Sequence, residues 1–286
     1  MTTHIVTDDA LGKVTRRRWE VERRLMEGTL DPNLVARNLQ VIAEGAEVSS
    51  TPSIVTACPF FANEEPKFKF GYPQGYFVKP VAEQLAELSK HFPDLDFSFV
   101  LNRYRELPIL PQGAEGWFVV PKFEKVGKTY NEAVERVLDI IGKTRTFHNY
   151  CEGELGAKYL WLSERTAVAL MMLGEKQKGD FLLIGGQFGL THQGRSVRRA
   201  RVMYAPNEFG LGSFIVGCML ITHPRRLLDW DQVQIDCAGD EYLPDEDGDF
   251  SSAPCFYFLD GEVRFDADWV GDANSHCGSA SGFLSQ

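Results

Sequence analysis

The residues best suited to chemistry lie in and just before an acidic stretch, DEYLPDEDGDF, which covers residues 240–250. Asp245, Asp247 and Asp249 alternate along it with the spacing of ligands for a hard cation, because Ca²⁺ and Mg²⁺ prefer carboxylate oxygens. Earlier carboxylates lie close enough in the sequence to complete an oxygen cage. The candidate metal ligands are Asp236, Asp240, Glu241, Asp245, Asp247 and Asp249.

The acidic stretch matches a calcium-binding EF-hand loop only in part. Counting from Asp245, the sixth position requires glycine for a sharp turn but holds Phe250, and the twelfth is apolar instead of glutamate. A solvated turn between two strands, VQIDC and CFYFL, explains the same composition, because Pro, Asp and Gly are common turn residues. The stretch therefore predicts either a divalent metal site or a plain turn.

A basic group follows a glycine-rich turn in the segment THQGRSVRRARVMY. Its members are His192, Arg195, Arg198 and Arg199. Guanidinium groups bind phosphate and carboxylate through paired hydrogen bonds, so these residues are candidates for anion binding. The same segment alternates as a strand does, which would place Arg198 and Arg199 on opposite faces at a sheet edge. The segment therefore predicts either an anion site or an arginine-lined sheet edge.

The overall composition narrows the class of protein. A hydrophobic fraction of 44% and a charged fraction of 24% are typical of globular proteins. A net charge of −10 disfavours nonspecific attraction to nucleic acid or to an anionic membrane. The N-terminus lacks an apolar signal segment, and the longest apolar run, FIVGCMLI, is too short to span a bilayer. We therefore expect a soluble cytoplasmic protein.

The six cysteines are scattered without CxxC pairs, and several lie in apolar runs. This distribution predicts reduced cysteines in the core and no disulfide framework. Adjacent His and Cys residues, as in His276 and Cys277, rarely ligate one metal, which disfavours zinc. Cys151 is the better candidate for a reactive thiol.

The first 45 residues predict a helical hairpin. Apolar residues recur at helical spacing over 11–26 with arginines opposite, and Gly28 ends that helix. Asp31 and Pro32 begin a second helix. Residues 46–75 are rich in turn residues and predict a linker or covering arm. Residues 76–286 form the main domain.

Helices are expected in the main domain from Pro80 to Phe92, from Thr129 to Gly142 and from Ser163 to Gly174. Strands are expected in DFSFVL, GWFVVP, DFLLIG, RRARVMY, SFIVGCMLIT, VQIDC, CFYFL and EVRF, and a short helical turn in HPRRLLDW. Helices early and strands late predict an α+β fold, with a mixed, mainly antiparallel sheet and a few packed helices.

Five longer segments carry a resemblance to a known family: EGTLDPNLVARNLQ, GWFVVPKFEKVGKTYNEAVERVL, GDFLLIGGQFGLTHQGRSVRRAR, NEFGLGSFIVG and IDCAGDEYLPDEDGDF. They resemble an uncharacterised protein family of candidate-phyla (Patescibacteria-type) bacteria. The resemblance covers most of the chain and implies a shared fold. It implies no activity, cofactor or site residue.

Two functions from different classes follow from these patterns. The first is a non-enzymatic binding or assembly protein, in which the basic hairpin docks to a protein partner or to a second copy, because a helix pair of this size cannot bury both apolar stripes alone. The alternative is a metal-dependent hydrolase acting on a phosphorylated substrate, with Ca²⁺ or Mg²⁺ on the carboxylates and phosphate on Arg195 and His192. No other cofactor is expected.

Overall fold

A computed structural model describes residues 70–103, 106–243 and 250–285, together with Val21, Leu25, Val35 and Ala36. The chain divides into two compact units, and the second, Glu64–Glu246 with Ser251–Gln286, contains nearly all the described residues. The four isolated residues fall in the predicted hairpin, and each is helical. The remainder of the hairpin, and residues 46–69 of the predicted arm, lie outside the described residues.

Seven α-helices are present among the described residues: α1 (Val81–His91), α2 (Ser98–Arg103), α3 (Phe123–Val126), α4 (Tyr130–Thr144), α5 (Glu164–Lys176), α6 (Val197–Met203) and α7 (Ser213–Thr222). Two short 3₁₀ helices cover Leu190–His192 and Pro224–Arg226. No helix in this part of the chain is both long enough and apolar enough to cross a membrane.

The described strands are β1 (Gly116–Pro121), β2 (Phe147–Asn149), β3 (Leu160–Leu162), β4 (Phe181–Gln187), β5 (Glu208–Gly210), β6 (Gln234–Asp236), β7 (Asp240–Tyr242), β8 (Ser252–Leu259), β9 (Glu262–Trp269), β10 (Cys277–Ser279) and β11 (Ser281–Phe283). They form a four-stranded antiparallel sheet in the order β1-β4-β11-β5 and a seven-stranded mixed sheet. In the larger sheet β8 pairs with β6, β7 and β9, and only β10 with β6 and β2 with β9 run parallel. The expected α+β class with mainly antiparallel pairing is confirmed.

The two sheets are joined near the end of the described chain. β10 belongs to the larger sheet and β11 to the smaller one, and only the buried Ala280 separates them. The Ala280 amide donates to the Asp236 carbonyl, and its carbonyl accepts from Leu211, at 3.0 Å each. One short segment therefore holds both sheets.

Helix α7 lies at the centre of the core. All ten of its residues are buried, and it packs against α4, α1 and β1. A Cβ at Gly217 would lie 2.4 Å from Val137 of α4, so glycine permits the close approach of these two helices. The α7 sequence, SFIVGCMLIT, was expected to be a strand, and that prediction is wrong. A helix that is apolar on all sides has no helical period to detect.

Two further segments expected as strands are helices. RRARVMY forms most of α6, which begins where the Ser196 side chain accepts a hydrogen bond from the Arg199 amide. DFSFVL contributes to α2, where the Asp96 carboxylate accepts from both the amide and the hydroxyl of Ser98. In both cases a side-chain cap at the start of a helix outweighed an alternating pattern.

The predictions with clear end signals were accurate. α4 begins after Thr129, whose side chain accepts from the Glu132 amide as the capping box requires, and it continues two residues beyond Gly142. α1 and α5 also lie where they were expected. The short helical turn in HPRRLLDW appears as Pro224–Arg226. Strands were found in GWFVVP, DFLLIG, VQIDC, CFYFL and EVRF.

Candidate functional site

The larger sheet brings together two parts of the chain that the sequence analysis had singled out. Gln193, in the loop with the basic residues, forms a β-bridge with Gly278, and the neighbouring Ser279 pairs with Asp236. Strand β10 therefore lies between the His192 loop and the end of β6. The contacts of each candidate residue decide what this juxtaposition can do.

His192 is buried and serves as part of an internal network. Its Nε2 lies 2.7 Å from Glu208 Oε1, and the Ser281 hydroxyl donates to the same oxygen at 2.6 Å. Hydrogen bonds from His192 and Ser281 outweigh the effect of burial and lower the pKa of Glu208. A nucleophilic serine would need the histidine between itself and the carboxylate, whereas here the carboxylate lies between them. The arrangement is structural.

The three candidate arginines have different neighbours. Arg195 donates from Nη1 to the Thr191 carbonyl at 2.9 Å, and the same nitrogen lies 3.2 Å from His192 Nδ1. The Arg198 guanidinium lies over the Trp269 ring, 5.6 Å from its centroid. The Arg199 amide bonds to the α6 cap. The structure thus joins Arg195 to His192 and directs Arg198 to an aromatic ring.

Asp240 is fully buried, and both of its carboxylate oxygens are occupied. Oδ1 accepts from the Tyr130 hydroxyl and Oδ2 from the Ser213 amide, each at 2.6 Å. Burial raises the pKa of Asp240 to about 6, although the bonds from Ser213 and Tyr130 oppose that shift. This carboxylate ties the start of α4 to the start of α7, so its role in the structure is to join helices.

The remaining metal candidates are placed only in part. Glu241 lies on β7 and is half-buried, whereas Asp245, Asp247 and Asp249 lie outside the described residues. Within the described ranges, no group of three or more His, Cys, Asp or Glu side chains is arranged to hold a metal ion. The metal site in the acidic stretch stays a prediction.

Asp236 differs from these residues because its carboxyl group has no hydrogen-bond donor among the described residues. Its side chain retains only 7% of its surface exposed. Burial raises the pKa of Asp236 to about 7, and the negative charges of Asp268 and Asp272 add to the shift. A buried, unpaired carboxyl group with a strongly shifted pKa is a typical feature of functional sites.

Strand register explains how Asp236 acquires its neighbours. Ser279, Asp236, Cys255 and Asp266 form one row across β10, β6, β8 and β9. Residues directly opposite one another on paired strands share a face of the sheet, so these four side chains point to the same side. The adjacent row, with Ile235, points to the other side and into the core. The polar row therefore lines one face of the larger sheet.

Two buried hydroxyl groups on this face also have no partner among the described residues: Tyr204 OH and Ser279 Oγ. The Tyr204 ring packs edge-on against His192 at 5.1 Å between centroids. Burial raises the pKa of Tyr204, the Arg201 charge opposes that shift, and the Glu208 and Asp236 charges add to it. Tyr204 shares a buried cluster with Ala253 of β8, which lies two residues from Cys255 and therefore on the same face as Asp236. We call Asp236, Tyr204, Ser279, Asp268 and Asp272 the Asp236 site. Nothing in the sequence indicates that Ser279 or Tyr204 belongs to this site, because strand register brings Ser279 there and the packing of the residue after α6 brings Tyr204.

The cysteines near this site are free and buried, as the sequence predicted for the described cysteines. Burial raises the pKa of Cys255 and of Cys277, and the Asp236 charge adds to both shifts. The Cys277 thiol donates to Gln234 Oε1 at 3.3 Å. Burial also raises the pKa of Cys151, to about 11. A thiol is a nucleophile only as its thiolate, so none of these three is activated.

A separate surface lies on α5 and carries exposed apolar side chains. Val168, Met171 and Met172 are 46%, 58% and 38% exposed, and their spacing of three and four residues places them on one side of the helix. The opposite side, with Ala169, Leu170 and Leu173, is buried. We call the three exposed residues the methionine face.

Comparisons of the chain with protein-family models, with curated proteins and with solved structures found no match.

Proposed function

We propose that this chain is a non-enzymatic binding or assembly protein. The observation that supports this proposal is the methionine face of α5. Val168, Met171 and Met172 are contiguous on one helix and exposed to solvent. Such contiguous apolar surface favours protein contacts, and methionine adapts its shape to a partner.

Arg165 fixes the position of this face. Its Nε donates to the Glu208 carbonyl at 2.7 Å, which holds the start of α5 against the segment that follows α6. Val202 and Met203, at the end of α6, are each 44% exposed. The Arg165 hydrogen bond therefore connects α5, which carries the methionine face, to the segment that follows Val202 and Met203 of α6. We propose that a second copy of the chain covers both groups of exposed apolar residues.

The basic hairpin predicted over residues 1–45 forms the second part of the proposal. Its arginines suit a protein partner or another copy of this acidic chain, and the proposed location is the cytoplasm. Deleting residues 1–45 is expected to weaken assembly. If the deletion leaves both assembly and stability unchanged, the hairpin has no such role.

Sedimentation velocity over a range of protein concentrations tests the methionine face. The wild-type chain is expected to increase in average mass with concentration, and the double variant Val168→Glu with Met171→Glu is expected to remain monomeric. Leu101→Glu is the matched control, because Leu101 lies on another helix and is also 46% exposed. A wild-type chain that remains monomeric throughout would refute assembly through this face.

A metal-dependent hydrolase acting on a phosphorylated substrate is the second candidate. The observation that favours it is β10, which pairs with the His192 loop on one side and with Asp236 on the other, so that one strand separates them. Hydrolysis of p-nitrophenyl phosphate with Mg²⁺ or Ca²⁺, and its loss in Asp247→Asn with Asp249→Asn, would support this candidate. No hydrolysis, with no rise in melting temperature on adding either metal, would exclude it.

A further inference from the structure

We propose that the Asp236 site binds an organic cation that carries N–H donors, either an ammonium or a guanidinium group. The site contains a buried carboxyl group and two buried hydroxyl groups without partners among the described residues. This inference is independent of the methionine face, which lies on α5.

The charge of the site determines the class of ligand. Asp266 lies in the same cross-strand row as Asp236, and Asp268 lies two residues further along β9, so its side chain points to the same face of the larger sheet. Asp268 is exposed at the end of β9, and Asp272 is exposed in the turn that follows. No lysine or arginine in the described ranges forms an ion pair with Asp236, Asp268 or Asp272. The three carboxyl groups therefore favour a cation over an anion, against the opposing charges of Arg201 on Tyr204 and of His276 on Asp268.

The hydrogen-bonding groups make the choice of cation more specific. A carboxylate only accepts hydrogen bonds, and the Tyr204 and Ser279 hydroxyl groups can each accept one. A guanidinium or ammonium group has several N–H donors and could satisfy these acceptors together. A quaternary ammonium has the same charge but no N–H, so it would leave them without partners. A comparison of an N–H cation with a quaternary ammonium therefore distinguishes binding at this site from general attraction of cations to an acidic protein.

The neighbours of the site hold its acceptors in place. The backbone of Asp236 is fixed on both sides by β10 and β8. The Tyr204 ring is packed against His192, and the Arg165 guanidinium lies 5.6 Å from its centroid. His192 is itself hydrogen-bonded to Glu208, so the Tyr204 ring packs against a residue whose position is fixed.

The same N–H cation occurs in small molecules and in the arginine side chains of proteins. Isothermal titration calorimetry on the full chain can distinguish these sources with two probes, ethylguanidinium and a Gly-Gly-Arg-Gly-Gly peptide with blocked ends. Tetramethylammonium at the same ionic strength is the control for charge alone. Tighter binding of the peptide indicates a protein source, and tighter binding of ethylguanidinium indicates a small molecule.

The expected result is saturable binding of at least one N–H probe and no saturable binding of tetramethylammonium. Asp236→Asn should weaken that binding at least tenfold, and Tyr204→Phe should weaken it several-fold while retaining the ring. Asp94→Asn removes an exposed carboxylate in the turn after α1 and should leave binding unchanged.

Three results would overturn the proposal. The first is an Asp236→Asn variant that binds the N–H probes as the wild type does. If that variant does not fold, unchanged binding in Tyr204→Phe has the same meaning. The second is absence of binding by both probes, which would leave a buried water in the site. The third is binding of tetramethylammonium as tight as that of the N–H probes, which would mean that net charge alone accounts for the binding.

Discussion

Two groups of buried polar residues lie side by side in this protein, and they differ in how their hydrogen bonds are satisfied. Around Glu208 and Asp240, every carboxylate oxygen has a donor at hydrogen-bond distance. Around Asp236 the carboxyl group accepts no hydrogen bond from a described residue and two hydroxyl groups have no partner, whereas beside Asp240 one hydroxyl group, that of Ser213, has none. The first group stabilises the fold, because its members bond elements distant in sequence. The second group reduces stability, which is the usual cost of keeping polar groups ready for a ligand.

The strongest test of this comparison is Asp240→Ala. The substitution leaves the Tyr130 hydroxyl and the Ser213 amide without an acceptor inside the protein. Each buried donor without a partner costs about 1–3 kcal/mol, so the free energy of unfolding should fall by about 3–5 kcal/mol. Urea denaturation measures this change. A loss below about 1 kcal/mol would show that Asp240 does not join α4 to α7.

Asp236→Asn should raise the free energy of unfolding instead of lowering it, and the size of this effect should depend on pH. The pKa of Asp236 is raised from 3.8 to about 7 in the folded protein. Between these values the folded protein holds a proton that the unfolded chain has released. The contribution of Asp236 to wild-type stability therefore falls as the pH rises from about 4 to about 7, and then levels off. The variant has no carboxyl group to ionise, so it should be more stable than the wild type by about 2 kcal/mol at pH 8. This value is smaller than the full pKa shift implies, because the buried amide of the variant also has a cost.

Thermal or urea unfolding of both proteins at pH 4 and pH 8 measures the difference. Asp94→Asn, with its exposed carboxylate, should differ from the wild type in stability by the same small amount at both pH values. If Asp236→Asn is less stable than the wild type at pH 8, the carboxylate has a stabilising partner and belongs with Asp240.

Tyr130→Phe removes a hydroxyl group that donates to Asp240. We expect the free energy of unfolding to fall by about 1.5 kcal/mol, the lower end of the range for a hydrogen bond to a charged group. Circular dichroism during urea denaturation is sufficient to measure it. A neutral result would mean that the Ser213 amide alone satisfies this carboxylate.

Tyr204→Phe is the matched substitution at the Asp236 site and should have the smallest effect. Its hydroxyl group is buried without a partner, so removing it should change stability by less than about 0.5 kcal/mol or raise it slightly. The same urea series measures both tyrosine variants. Equal losses for the two would remove the distinction between the two groups of residues.

The sequence predicts part of this fold because some elements carry local signals. Thr129 and Glu132 mark the start of α4, and its apolar residues keep a helical period. Helix α7 has no such signal, because it is buried on all sides and its sequence is compatible with a strand. The α+β class could be predicted, but the position of the central helix could not.

The candidate site is harder to predict, because strand register assembles it. Asp236 was selected as a metal ligand from its place near the acidic stretch, whereas its neighbours in the structure come from β8 and β10. Alternation within each short strand identifies which residues share a face, but not which strands are adjacent. His192 was selected as an anion contact, and nothing in its local sequence indicates that Glu208 would bind it.

The joining of both sheets by residues 277–283 has a consequence for synthesis on the ribosome. Strands β6 and β4 are made well before β10 and β11, which they need as neighbours. Until this segment has left the ribosomal exit tunnel, β6 lacks its parallel neighbour, and β4 and β5 lack the strand that lies between them. Such unpaired strand edges favour aggregation. Folding of this domain is therefore expected to be completed only after residues 277–283 have left the exit tunnel, and the nascent chain should depend on chaperones until then.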